Sequence, residues 1–597
     1  MIYKLKKRIE KNYYYIICFF IIVVLHFLMS MNFKGLVQSI GNDEAVTLSW
    51  TSFLSGVDWS DVVELNKYYG FGFTTFLGIL NKFTTNPLVL YQLYQAIVAI
   101  MYATCGIISL KILCKLLDCK PNVYCLLTAI SSVFVPIKFV YVFNEHMYIL
   151  INWLIVFNII RIIYEQNERK IMIYFLENIL ILGYSLTVHD KSLTMWCAFF
   201  LAIILFLLKE KNEVIIKTFI INLLAGMGIY KILQIFIKMI RKGIWDINSK
   251  IMLNNTTTGT FSTLRRKILY LKNPINYIFP ILTIISQLFF MSMVTGGIFL
   301  IFLLYSLSFI FKYYCKKCSN NNKNKAIFII SVYVLITISI TIVMQSLTWM
   351  PDATKLDSNV YWLEILGKRA KLYLRYFCCY CGPAIVLFAV YLKDKRNELL
   401  KYFKLSIFLY AVIALCVILF ISKWYNEYTL ISSPTYSMFI PFVWFFKYEY
   451  LTRKVFVISI FMMYIFLCFL YFLFKYKKDS LIMLLVLILF LYQYFCTGLL
   501  VYKSSSEKIY SNNYPVYQYL KIKNIDNKVI YCPNMNKSYI QLKFYLTEYE
   551  LLKDSKIDNE HIIIFKLDEE IQNNLIKQGY IFEELGDYRV YIPPKYQ

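Results

Sequence analysis

The chain has 597 residues, 59% hydrophobic and only 17% charged, with a mean hydropathy of +0.56. Soluble domains run about half apolar and about a quarter charged, so an ordinary soluble protein is excluded. The formal net charge of +27 sits mostly in short basic loops between apolar runs, without any DNA- or RNA-binding motif, which points to membrane orientation and anionic headgroups and away from nucleic acid.

A spanning helix needs roughly 20 mostly apolar residues. Residues 1–12 carry Lys4, Lys6, Lys7, Arg8 and Lys11, and an apolar run over 13–31 follows. That run is too long for a signal-peptide core and has no small-residue cleavage site, so it reads as a first span with its N-terminus inside. Residues 32–86 form a long, half-apolar outer loop, expected to lie on the membrane surface as short amphipathic helices. Further spans are expected near 88–113, 122–141, 147–164, 172–188, 193–209 and 214–234. Basic residues outnumber acidic ones in the inner loops 115–120 and 161–170 and equal them in 209–213, so the charge rule holds its phase. A second outer segment covers 235–276, and a third covers 347–374. The apolar stretch 277–311 is too long for one helix, so part of it is expected to be interfacial or re-entrant. The basic loop 312–325 reads as cytoplasmic, and spans follow at 326–346, 375–392, 403–422, 455–474 and 480–502. Residues 436–448 are apolar but short; read as not crossing, they leave about thirteen spans and an outer C-terminus.

From about residue 505 the composition turns polar, and short apolar runs such as Lys528–Tyr531 and His561–Phe565 read as strands. The expected organisation is an all-α polytopic membrane domain over 1–503 and a small extracytoplasmic α/β domain over 504–597. Fifteen cysteines are scattered through the chain, many in apolar runs, where they read as small buried hydrophobes. Cys315 and Cys318 form a C-K-K-C with no second pair at metal-ligand spacing, and read as reduced thiols on a cytoplasmic loop.

The polar residues that stand out fall on the outer face. Gly41-Asn42-Asp43-Glu44-Ala45 opens the first outer loop with two adjacent carboxylates. Asp43 suits a helix N-cap and Glu44 its first turn, and a cap also fixes a carboxylate rigidly. The stretch 143–150 places Glu145 and His146 at the outer start of a span; 187–193 carries His189, Asp190 and Lys191 on a short outer turn; 373–383 carries Arg375 and Tyr376 before a late span. Plain alternatives accompany them: Glu145 and His146 cap a span, His189–Lys191 make a polar turn, and Arg375 snorkels to headgroups. Lys138, near an outer end, also reads as snorkelling, and His26 as a packed core residue.

This layout resembles the C superfamily of glycosyltransferases, polytopic enzymes that take sugar from a polyprenyl-phosphate carrier. The family includes the bacterial aminoarabinose transferases and the protein O-mannosyltransferases. Its acidic pair just after the first span matches Asp43-Glu44. Its aromatic-Pro-Pro-Leu stretch is matched only loosely by Y-Y-G-F-G-F at 68–73, without the prolines. Glu145 fits its glutamate at the outer start of a span, 187–193 stands where relatives carry another polar cluster, and Arg375 with Tyr376 resembles its R-Y start of a late span. The resemblance implies transfer of a sugar from polyprenyl phosphate, with inversion, to an extracytoplasmic glycan, lipid or protein. It implies a multi-pass protein of the bacterial cell membrane, with its site and C-terminal domain outside and membrane lipids around it.

Such a transfer needs a carboxylate base near the attacking hydroxyl and cations against the leaving phosphate. On this resemblance Asp43 is the base, Glu44 or Glu145 assists or orients, and Arg375, Lys191 or His189 neutralises the phosphate. Some relatives use a divalent cation and others none. Asp43, Glu44, Glu145 and Asp190 offer hard oxygen ligands for Mg or Mn, and the question stays open. The rival readings are a transporter or flippase of lipid-linked glycans, a polymerase or ligase acting on them, and a non-catalytic scaffold. A transporter calls for charges deep in the spans, whereas the candidates here gather at one face.

Overall fold

The computed structural model describes residues 2–31, 33–34, 44, 47–48, 70–135, 142–211, 213–244, 267–269, 271–272, 274–315, 319–348, 374–422, 428–429, 439, 442, 450–501, 506–523, 529–533, 537–552, 560–566 and 569–597. They form two compact units. The first comprises Met1–Leu25, Ala99–Phe139 and Glu145–Thr497; the second comprises His26–Val98, Val140–Asn144 and Gly498–Gln597.

In chain order the helices up to the end of the apolar region are α1 (Ile2–Ser30), α2 (Gly72–Leu80), α3 (Pro87–Leu117), α4 (Val123–Val133), α5 (Asn144–Tyr164), α6 (Glu168–Val188), α7 (Leu193–Glu210), α8 (Glu213–Ile244), α9 (Ile278–Val294), α10 (Ile298–Tyr314), α11 (Asn322–Thr348), α12 (Cys378–Asp394), α13 (Arg396–Phe420), α14 (Arg453–Lys475) and α15 (Asp479–Val501). Among the described residues ten of these are long and apolar enough to cross a bilayer, and the bent pair α9–α10 makes an eleventh if it is one span. The protein is thus a multi-pass membrane protein, helical as expected.

Every one of the expected spans carries a helix, but two fall short. The segment 122–141 is helical only over Val123–Val133. Its 11 residues rise about 17 Å at about 1.5 Å per residue, against a hydrocarbon core of about 30 Å. Phe134 and Val135 leave the helix, and Val135 precedes Pro136, whose ring disfavours the helical region for the residue before it. α12 has 17 residues, and its start is a 3-10 turn over Arg375–Phe377. The stretch 277–311 resolves into α9 and α10, which meet at 115°. The break falls at Thr295-Gly296-Gly297, where both glycines take positive φ, 64° and 86°, a region costly for other residues. Residues 436–448 lie outside the described residues except for 439 and 442.

Within the first unit, α5 and α11 are innermost, with 72% of their spanning windows buried, whereas only 17% of that of α8 is. Exposed Leu224, Met227, Ile232 and Ile235 on α8 and Phe408, Val412, Leu415 and Leu419 on α13 form apolar faces suited to lipid. α4 packs closely on α12: the Tyr124 hydroxyl donates to the Ala389 carbonyl at 2.6 Å, and Gly382 approaches Ser132 and Trp153 so closely that an added Cβ would lie 2.6 Å from the Ser132 oxygen. Asn122, Asn167 and Thr452 cap α4, α6 and α14 by accepting from backbone N–H groups.

The second unit contains the α/β fold expected at the C-terminus. Helix α16 (Glu507–Lys523) precedes β3 (Val529–Tyr531), α17 (Lys537–Tyr545), β4 (Glu550–Leu552), β5 (Ile562–Phe565), α18 (Glu569–Lys577), β6 (Ile581–Leu585) and β7 (Tyr588–Ile592); a separate two-residue pair, β1 (Tyr428–Thr429) with β2 (Tyr450–Leu451), lies in the first unit. The five-stranded sheet has the order β4-β3-β5-β7-β6, parallel on the β4-β3-β5 side and antiparallel across β5-β7-β6. Ile563, Phe565, Leu575, Tyr580 and Tyr591 form its core. In the same unit the Tyr545 hydroxyl donates to the Lys34 carbonyl, Lys34 N–H donates to Ser506 Oγ, and Gln92 Nε2 donates to the Phe33 carbonyl. The chain just after α1 is thereby tied to the C-terminal fold.

Candidate active site

Glu145 occupies the first turn of α5, where a negative charge complements the exposed N–H groups and positive end of the helix. Arg375 sits in the 3-10 turn that leads into α12. Their side chains meet at one end of the helical unit, with Arg375 Nε 2.5 Å from Glu145 Oε1 and side-chain exposures of 2% and 9%. A pair this buried has lost its hydration, so each charge depends heavily on the other.

Three further predicted residues join it. Lys191, on the turn Asp190–Ser192 between α6 and α7, lays its ammonium over the Tyr376 ring, 2.9 Å from the centroid. A cation–π contact holds the ammonium without neutralising it. Arg375 lies 5.9 Å from the centre of the same ring. His189 ends α6 in extended backbone, its carbonyl accepts from the Tyr148 hydroxyl at 2.6 Å, and its Nδ1 faces the Lys191 N–H at 3.3 Å. Arg375 foremost, then Lys191 and His189, act electrostatically on the Glu145 carboxylate. The structure therefore brings Glu145, Arg375, Lys191, His189 and Tyr376 together from three separate stretches of sequence.

Glu44 belongs to the second unit. It is 1% exposed, and its Oε1 accepts from the Tyr91 hydroxyl at 2.6 Å and the Val142 N–H at 3.0 Å. Asp43 lies outside the described residues, as does Lys138. Asp190 falls on the turn beside Lys191. His26 is buried and shares a 3.0 Å hydrogen bond with Gln95, in keeping with a packed core residue.

Residues not singled out from sequence support the cluster. Tyr148 carries the His189 carbonyl, the Tyr380 hydroxyl meets Thr194 Oγ1 at 3.1 Å, and the Tyr102 hydroxyl meets Nδ1 of His146, which the sequence had placed beside Glu145. With 52 Tyr in the chain, none of these stood out. The one usable signal was position, since Tyr148 and Tyr380 fall within a turn of Glu145 and Tyr376.

The fold defines the class: a multi-pass helical membrane protein with a small appended α/β domain. Over nearly its whole length the chain is similar to ArnT from Cupriavidus metallidurans bound to undecaprenyl phosphate, covering 97% of this chain and 98% of that one at 9% identity and a TM-score of 0.54. The apo state of the same protein gives 9% identity and a TM-score of 0.49, over 96% and 97% of the two chains. No family model and no curated protein matches the sequence. At this identity the likeness establishes the fold.

Proposed function

We propose that the protein is a membrane glycosyltransferase that moves a sugar from a polyprenyl-phosphate carrier to an acceptor outside the bacterial cytoplasm. The observation that carries this reading is the gathering of Arg375, Lys191 and His189 around Glu145 at one end of the helical unit. The fold adds support, since its structural neighbour was solved with undecaprenyl phosphate bound.

In the reaction an acceptor oxygen attacks the anomeric carbon and the bond to the phosphate oxygen breaks. The electron pair leaves with the phosphate, and the hydroxyl proton passes to a carboxylate. Direct displacement inverts the anomeric centre and needs no covalent enzyme intermediate. Lys191 and Arg375 carry the cationic role, because charge grows on the phosphate in the transition state and fixed cations need no reorganisation to meet it. His189 adds a further donor there. Glu145 fixes Arg375, Glu44 orients the first outer segment through Tyr91 and Val142, and Asp43 accepts the proton. The acceptor class is a cell-wall polymer, a glycolipid or a protein.

Lys191→Met removes one cation while leaving the buried Arg375–Glu145 pair intact. Titrating undecaprenyl phosphate into the protein in nanodiscs should show saturable binding that weakens about tenfold in this variant, equivalent to about 1.4 kcal/mol. Unchanged affinity would remove Lys191 from the phosphate site, and absence of saturable binding to the wild type would overturn the reading.

A further inference from the structure

At the other end of the same helical unit, three thiols come together. Cys114 lies in the last turn of α3, Cys119 in the connection, and Cys125 in the first turn of α4. Their sulfurs all lie within 4.8 Å of one another, and Cys119 Sγ is 3.7 Å from Cys125 Sγ. Among the described residues this is the group of His, Cys, Asp or Glu side chains at metal-ligand spacing.

We propose that Cys114, Cys119 and Cys125 form a trithiolate site for a thiophilic d10 cation of the zinc or copper(I) class. The distances fit that chemistry. Zinc–thiolate bonds of about 2.3 Å place the sulfurs of a tetrahedral site about 3.8 Å apart. Soft thiolates select such cations over the hard Mg and Ca ions.

The backbone holds the three positions. Asp118 takes a left-handed φ of 49°, and Cys119 N–H returns to the Cys114 carbonyl at 3.1 Å, which turns Cys119 back over the end of α3. Asn122 caps α4 through the Cys125 N–H, and its amide reaches within 4.0 Å of Cys119 Sγ. That amide is the kind of outer-shell donor that tunes a bound thiolate. Tyr15 of α1 lies within electrostatic reach of all three sulfurs. Cys114 and Cys125 are buried while Cys119 is partly exposed, so a cation enters from the Cys119 side and keeps a fourth position for solvent. Binding replaces the thiol protons with the metal and changes no oxidation state. The paired spacing C-x4-C-x5-C stands in the sequence, but only the turn between α3 and α4 closes it into a triangle.

The test is a titration of the reduced, full-length protein in detergent with Cd2+. A thiolate-to-cadmium charge-transfer band should saturate at one equivalent, fall at least tenfold in Cys119→Ser, and persist in Cys315→Ser, where the exposed thiol lies elsewhere. In the wild type, Zn2+ should protect the partly exposed Cys119 from alkylation, read by peptide mass spectrometry, while Cys315 stays reactive. This second measurement stands even if the serine variant fails to fold. A band without stoichiometric saturation, absence of protection, or a Cys119–Cys125 disulfide in freshly isolated protein would each overturn the proposal.

Discussion

The Glu145–Arg375 pair joins two residues that each stand at the edge of an apolar segment, with side-chain exposures of 9% and 2%. Removing one partner strands the other charge in a desolvated setting, so Arg375→Met should lower stability by about 3–5 kcal/mol. Adding Glu145→Gln should recover part of that loss. Thermal unfolding in detergent reads both, and a double variant no more stable than the single one would show that the two are not coupled. Glu44→Gln weakens the acceptor of two hydrogen bonds, Tyr91 and Val142; charged hydrogen bonds contribute about 1.5–3 kcal/mol, and the same measurement should show a loss of that order. In the C-terminal fold, burial pushes the Tyr545 hydroxyl above its ordinary ionisation range, with the Glu44 charge adding to the effect. An unfolded tyrosine ionises near about 10. The contribution of this hydroxyl is therefore complete below that pH and is lost as pH rises above it. Tyr545→Phe should flatten that alkaline fall in stability, and an unchanged pH profile would contradict it. At this scale the sequence already singled out Glu145, Lys191, His189 and Arg375, because charge is conspicuous beside apolar runs. It did not show that Arg375 meets Glu145, since far-separated residues pair only through the packing of α5 against α12, and helix periodicity carries no information on that.

Among the elements, α12 depends on Gly382, where an added Cβ would meet the Ser132 carbonyl at 2.6 Å and the Trp153 ring at 2.8 Å. Backbone and a buried indole give way poorly, so Gly382→Ala should cost about 1–3 kcal/mol as an overpacked site. It should also loosen the Arg375 turn at the head of α12, and proteolytic susceptibility of that segment would report it. Gly297 combines a φ of +86° with a Leu467 methyl that would lie 2.5 Å from an added Cβ, so alanine there meets both strain and collision. The excess length of 277–311 announced a break in advance, and Gly296-Gly297 explain where it falls. The end of α4 was less legible. The apolar run continues through Pro136 into Val140, so hydropathy extended a span that backbone sterics stop at Val133.

Across the whole molecule, the helical unit carries different chemistry at its two ends. One end holds Glu145, Arg375, Lys191 and His189. The other holds ion pairs between loop-proximal residues, Lys325–Glu210 at 2.9 Å, Lys312–Glu398 at 2.7 Å and Arg396–Asp479 at 2.6 Å, together with the three-thiol turn. The basic loops that the charge rule assigns to the cytoplasm lie at this second end. Cysteines placed at Lys191 and at Asn320 in a cysteine-depleted background should label from outside and from inside respectively, and the reverse pattern would invert the proposed orientation. Polytopic class and the α/β character of the C-terminus were readable from composition, because a bilayer imposes length and hydropathy on every span. The antiparallel β6–β7 edge was not, since Ile581–Leu585 is largely exposed and carries little apolar pattern. The most direct test reconstitutes the protein in proteoliposomes with a panel of polyprenyl-phosphate sugars and measures liberated polyprenyl phosphate together with the transferred sugar. Acceptor-dependent release by the wild type, reduced at least about a hundredfold in Asp43→Asn, is the expected result. Movement of the intact donor across the bilayer without cleavage would contradict a transferase and make the protein a carrier of lipid-linked glycans.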